Sequence, residues 1–240
     1  MAAGATDAPA AGVRAADVGD GGRDAYYTGD RPDLRRLVPA TARRVLDVGC
    51  GAGTMGAVLK QELGAEVVGI ELFEEAAAIA EGRLDAVLRE NLQTLRGLPY
   101  PEGHFDAMVF GDVLEHVHDP HALLRALRPH LADGGVVAIS VPNVKHWSVV
   151  FQLLVRDRFT YGDKGLLDRT HVHFFTLEEL GALLDETGFD PFAVHVNEID
   201  HAPPQVAALA TFAAQFGEDE REVLQRLNAY QYVVGATKRP

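Results

Sequence analysis

Three glycines and two carboxylates supply the chemistry that the rest of this chain must position. Gly49, Gly51 and Gly53 alternate with Cys50 and Ala52 directly after the apolar run Val45-Leu46-Asp47-Val48. Glycine lets a backbone turn sharply and approach a ligand closely. A helix that begins near Thr54 then points its first N–H groups at whatever the loop holds. Asp47 stands two residues before the first glycine, and Glu71 ends the next apolar run, Ala65 to Ile70. A carboxylate at Glu71 can accept hydrogen bonds from both hydroxyls of a ribose. Strand, glycine turn and helix together make the nucleoside-binding corner of a doubly wound α/β sheet.

Gly51-x-Gly53-x-x-Gly56 is also a literal dinucleotide fingerprint. Asp47 argues against that ligand. Read as facing the pocket from the strand end, its carboxylate repels a pyrophosphate and attracts a ligand with an ammonium and a sulfonium. The stretch Val45 to Gly53 resembles motif I of the class I S-adenosylmethionine (SAM)-dependent methyltransferases. A strand over 105–111 followed by Leu114-Glu115-His116 and Asp119-Pro120 resembles a second signature of that family. Asp168-Arg169-Thr170-His171, with Phe174-Phe175-Thr176 after it, resembles small bacterial methyltransferases of the saccharide and secondary-metabolite type. The likeness runs over about residues 26–190.

That resemblance implies SAM as cofactor and a Rossmann-like, doubly wound seven-stranded sheet in the order 3-2-1-4-5-7-6, with an inserted substrate cap. It implies a SAM site of Tyr27, Asp47, Gly49, Cys50, Gly51, Gly53, Glu71, Leu72, Asn91, Leu92, Gly111, Asp112 and Glu115. In it, Asn91 meets the adenine amino group, Leu92 packs on the ring, and Gly111 and Asp112 lie beside the methionine part. Cys50 reads as a small packing residue rather than a nucleophile. Tyr26 and Tyr27 either cover the cofactor or anchor their segment to the core.

Methyl transfer to a hydroxyl also needs a base near neutral pH, and histidine suits that role. His171 and His173 lead, with His116 next. The first two alternate in an extended stretch, so one faces inward and one outward, with Asp168 near enough to orient the inward ring. Asp112, Glu115 and His116 have two readings. They hold their loop by hydrogen bonds, or they ligate a metal, as a similar stretch is thought to do in some quinone-biosynthesis methyltransferases. The first is preferred, and no metal is assigned. The expected function is transfer of a methyl group from SAM to a small-molecule acceptor, foremost a hydroxyl of a sugar or secondary metabolite. The rivals are a non-catalytic SAM-binding partner protein and a nicotinamide-dependent dehydrogenase. Asp47, the Glu115-His116 stretch and the lack of a second βαβαβ half disfavour the dehydrogenase.

These residues need a scaffold, and 240 residues suffice for one α/β domain with a sizeable core. Strands are expected near 44–48, 65–71, 86–88, 105–111, 136–141, 192–196 and 232–237. Helices are expected near 54–63, 74–82, 120–131, 146–155, 177–187, 203–216 and 218–228. Residues 144–175 break the βα rhythm and read as the cap within a domain over 25–240. Residues 1–24 are rich in Ala, Gly and Asp, lack the apolar core of a signal peptide, and read as a disordered tail. A net charge of −13 argues against non-specific nucleic-acid binding. No apolar run is long enough to span a membrane. The single cysteine excludes an internal disulfide and fits a reducing cytoplasm. A small-molecule acceptor is the expected partner, and a second copy of the chain is a candidate one.

Overall fold

Five short strands, apolar on both faces, align in parallel because each must bury both sides under helices. The computed structural model describes residues 30–199 and 202–240; Tyr26, Tyr27 and the tail expected over residues 1–24 lie outside the described residues. Strand β1 (Arg44–Val48) is central, pairing in parallel with β2 (Glu66–Ile70) and β4 (Phe105–Gly111). Strand β3 (Ala86–Leu88) adds beyond β2, and β5 (Leu131–Pro142) beyond β4. Strand β7 (Gln231–Lys238) runs antiparallel between β5 and β6 (Phe189–Asn197). The sheet order is β3-β2-β1-β4-β5-β7-β6, as the resemblance implied. The chain reverses direction across the sheet between β1 and β4, and there the carboxyl ends open a crevice that binds ligands in such folds.

The short helix α1 (Pro32–Arg35) precedes β1 and buries Leu34. Helix α2 (Thr54–Leu63) begins on the glycine turn and stops at Gly64, whose positive φ of 60° lets its N–H bond back to Lys60. Helix α3 (Glu74–Glu81) links β2 to β3. Helix α4 (Pro120–Leu127) starts where the Asp119 carboxylate accepts the Ala122 N–H. It ends earlier than the expected 131. Pro129 lacks an N–H to continue the ladder, and the chain tightens into a 3₁₀ turn over Arg128–His130. Strand β5 correspondingly begins at Leu131 rather than 136, and its register against β4 shifts across Asp133-Gly134-Gly135.

Helix α5 (Trp147–Arg156) opens the insertion. Helix α6 (Leu177–Thr187) closes it, with the Thr176 hydroxyl accepting the Glu179 N–H and Gly188 at its end. Helices α7 (Ala207–Ala214) and α8 (Glu220–Asn228) fill the connection from β6 to β7. Val206, Ala210, Val223 and Leu227 form a small separate core there, and Trp147 and Val150 of α5 pack against it. Two distant segments, 144–175 and 202–228, therefore pack together, where pattern alone pointed only to the first.

Candidate active site

The glycine turn adopts the backbone that its residues permit. Gly49, Gly51 and Gly53 all have positive φ, at 68°, 54° and 73°. Glu71 braces the turn: one carboxylate oxygen accepts the Gly51 N–H at 2.9 Å and the other the Phe73 N–H at 2.8 Å. Each oxygen keeps a further lone pair for a ligand. The Cys50 sulfur lies 2.5 Å from where a Cβ on Gly69 would stand, so it packs tightly against β2. Burial pushes its thiol pKa up, and the charges of Asp47 and Glu71 add to this. It is a packing group.

Asp47 does not face the pocket as expected. It is 1% exposed and lies beneath the turn, its Oδ2 3.0 Å from where a Cβ on Gly56 would stand. Helix α2 closes over it and directs the Gly56 N–H at the carboxylate. Burial raises its pKa to about 7, the Glu71 charge pushes the same way, and the Gly56 N–H opposes both. Its charge reaches a ligand only through the loop. On the other side of the turn Leu72 is 52% exposed, and Asn91 and Leu92 are half-buried. The Asn91 Oδ1 accepts the Gln93 N–H at 2.9 Å, folding the side chain into a local turn.

Beyond the end of β4, Asp112 takes a left-handed backbone with φ 57°. Its carboxylate accepts from Arg31 Nη1, from Gln231 Nε2 and from the Ser140 hydroxyl. The Ser140 oxygen in turn accepts the Asp112 N–H at 3.1 Å. Asp33 grips the same guanidinium at 3.0 and 2.8 Å. A cation and an anion thus stand side by side at the crevice. Arg31, Ser140 and Gln231 escaped the sequence reading because they come from three places far from Asp112 along the chain.

Glu115 and its neighbours form the third part. The Glu115 carbonyl accepts the Val172 and His173 N–H groups at 2.8 and 3.1 Å, docking the insertion onto the turn Leu114–His116. The Glu115 side chain is 1% exposed, and its Oε2 has no hydrogen-bond partner among the described residues. Burial raises its carboxyl pKa well above the ordinary range, and the charge of Asp112 adds to this.

His116 Nδ1 lies 3.2 Å from the Thr170 carbonyl and 3.1 Å from the Thr170 hydroxyl. That hydroxyl donates to Asp168 Oδ1 at 2.6 Å. Both groups facing Nδ1 therefore accept, so this network assigns the proton to Nδ1 and leaves Nε2 with a lone pair. His171 Nδ1 faces the Leu166 carbonyl at 3.2 Å, which gives the same tautomer. The two rings are 4.8 Å apart. Burial lowers the His171 pKa, and His116 lowers it further. His173 instead turns its Nε2 to the His118 carbonyl at 3.1 Å and its ring to Phe175. The Asp168 carboxylate bonds Thr170, and through it His116, while the Asp168 carbonyl accepts the His171 N–H at 3.0 Å and its charge raises the His171 pKa against the lowering by burial. One ligand atom each from Glu115, His116 and His171 lies within 4.8 Å of the others. A carboxylate with two imidazoles is a donor set that suits a divalent ion.

A model of the methyltransferase domain matches residues 25–194. The chain is 34% identical over 157 residues to the ubiquinone biosynthesis O-methyltransferase of Bordetella avium (strain 197N), a match covering 62% of this chain and 63% of that protein. It is 34% identical over 172 residues to the protein of the same name from Psychrobacter arcticus, covering 65% of this chain and 64% of that one. The matches thus span less than two thirds of these relatives' length. Among solved structures, a SAM-dependent methyltransferase from Archaeoglobus fulgidus shares the fold with a TM-score of 0.62 at 20% identity, over 90% of this chain and 98% of that one.

Proposed function

The chain belongs to the methyltransferase domain family, within the class I SAM-dependent superfamily, and from that premise we propose that it moves the methyl group of SAM to a hydroxyl oxygen of a small molecule. The observation that carries this reading is the pair of imidazoles, each offering an Nε2 lone pair beside buried Glu115 at the carboxyl end of β4. The relatives named as O-methyltransferases support oxygen as the accepting atom. In this reading the ribose lies on Glu71. The amino-acid end of SAM lies at Arg31 and Asp112, whose opposite charges match a carboxylate and an ammonium. The sulfonium is already activated, so the protein supplies orientation and a dry site. Bound SAM would supply the activated methyl group and leave as S-adenosylhomocysteine (SAH), while His171 Nε2 would take the proton of the accepting hydroxyl. Glu115 stands beside that ring, within reach of both imidazoles. His116 is the alternative base, and His173 packs the segment behind the site.

The domain spans residues 25–240 in this reading, with 144–175 selecting the acceptor. Among the described residues no helix is long and apolar enough to cross a membrane, and the lone Cys50 fits a reducing compartment. The unpartnered Oε2 of Glu115 favours one second reading, in which Glu115, His116 and His171 hold a divalent ion. Mass spectrometry of products from labelled SAM, with sugar nucleotides and phenolic scaffolds as acceptors, tests the activity. His171→Ala should lower kcat by roughly 10²–10⁴-fold with SAH affinity kept, whereas His173→Ala should cost stability instead. Losses of only a few fold in both His171→Ala and His116→Ala would place the base elsewhere. SAH binding without transfer to any acceptor would make the chain a SAM-binding partner protein.

A further inference from the structure

The first residue of β7 reaches both halves of the Arg31–Asp112 pair. Gln231 stands opposite Pro142 at the carboxyl end of β5 and opposite Asn197 at the end of β6. It is fully buried. Its amide Nε2 donates to Asp112 Oδ1. Its amide oxygen accepts from Arg31 Nη2 at 3.2 Å and from Asn197 Nδ2 at 2.8 Å. Asn197 Nδ2 also donates to Asp33 Oδ2 at 2.8 Å, and Asp33 grips the same guanidinium.

Few side chains can fill this place. A guanidinium only donates and a carboxylate only accepts. A residue that bridges them must therefore accept at one end and donate at the other. An amide does both and adds no charge. Its neighbours also fix which way round it lies. Turned over, it would set its NH₂ against Arg31 and Asn197, and its oxygen against Asp112. A carboxylate here would face a second carboxylate, and an ammonium would face a second cation. A thioether would leave Arg31 and Asp112 each one partner short.

The bridge sets how the two charges are presented. Asp112 Oδ1 receives both Gln231 and Ser140, while Oδ2 faces Arg31. A cation and an anion held side by side in this way meet the carboxylate and the ammonium of one amino acid together. Resting on the methyltransferase reading above, we propose that Gln231, oriented by Asn197, is the positioning residue of the amino-acid subsite. It fixes the spacing of Arg31 and Asp112, and so makes the protein select a nucleoside that carries an α-amino-acid end over one that lacks it. The antiparallel strands β6 and β7, rather than the glycine turn, carry this part of cofactor selection.

Calorimetry of the full chain with SAH and with 5′-methylthioadenosine, which lacks the amino-acid end, tests this, with thermal unfolding as the check on folding. The parent should bind SAH the more tightly. Gln231→Met keeps the length of the side chain and removes the amide. It should weaken SAH about tenfold or more and leave 5′-methylthioadenosine nearly unchanged. Asn197→Ala lets the Gln231 amide turn over, and should weaken SAH by about threefold or more with the same selectivity. If Gln231→Met fails to fold, Asn197→Ala carries the test alone. Equal losses of the two ligands in a folded variant would make Gln231 a packing residue and overturn the proposal, as would an SAH affinity equal to the parent's. A parent that binds 5′-methylthioadenosine as tightly as SAH would overturn the amino-acid subsite itself. A parent that binds neither ligand would overturn the methyltransferase reading, and the positioning role with it, as a distinct result.

Discussion

Asp47→Asn tests whether the acid beneath the glycine turn is held there at a cost to stability. The side chain is 1% exposed, and burial lifts its pKa from 3.8 to about 7. An acid whose pKa is higher in the folded than in the unfolded state binds more protons when folded, so stability falls as pH rises. The fall begins near 3.8, where the unfolded chain starts to ionise, and levels off above about 7. At about 1.36 kcal/mol per pH unit, this interval makes the ionised acid about 4 kcal/mol less favourable in the fold than the neutral one. Below the interval the protonated acid and the amide are close in shape, each able to accept the Gly56 N–H, the acid leaving one O–H donor to place and the amide two N–H donors. The two proteins should therefore be nearly equal in stability at pH 3.5. At pH 8 the Asn variant should be more stable by up to about 4 kcal/mol. Urea unfolding followed by circular dichroism at half-unit steps measures the difference, and comparison with the parent cancels every other titrating group. A difference that stays constant from pH 3.5 to 8, or a variant less stable at pH 8, would refute the reasoning.

Glu71→Ala removes the brace on Gly51 together with the proposed ribose acceptors. A charge-assisted hydrogen bond is worth about 1.5–3 kcal/mol, so SAH affinity by calorimetry should drop at least about tenfold, and an unchanged value would remove Glu71 from the ribose site. Arg31→Ala should weaken SAH by roughly tenfold or more while leaving 5′-methylthioadenosine, which lacks the amino-acid end, nearly unaffected. Equal losses for the two ligands would make Arg31 a structural brace only. Dialysis against EDTA should leave turnover intact if His171 and His116 act as bases; loss of turnover that manganese or zinc restores would favour the divalent-ion reading of the same groups.

The sheet and the cofactor corner were legible because their causes are local. Val45 to Val48 is apolar on both faces, the glycines that allow the positive φ values follow at once, and Glu71 ends the next strand. The helix stops were equally local at Gly64 and Gly188, where only the missing side chain matters. At 128–135 the local signal misled: the apolar spacing ran on, but Pro129 ended the ladder and β5 began early.

Side-chain encounters had no such local signal. Alternation in 171–173 told that one histidine faces inward but not which, since that depends on the Val172 and His173 N–H groups docking on the Glu115 carbonyl. Asp168 stands three residues from His171 in sequence yet serves His116 through Thr170. Asp47 sits at the pocket in sequence and beneath it in space, because α2 packs over the strand end. By itself the sequence determined the scaffold, the glycine turn and the residue types at the crevice, all of which follow from periodicity and backbone freedom within a few residues. Only the tertiary structure decided the Arg31–Asp112 pair, the His116–His171 pair and the His146–Tyr230 ring contact, because each joins groups more than fifty residues apart whose meeting is set by how the strands order and the segments 144–175 and 202–228 pack.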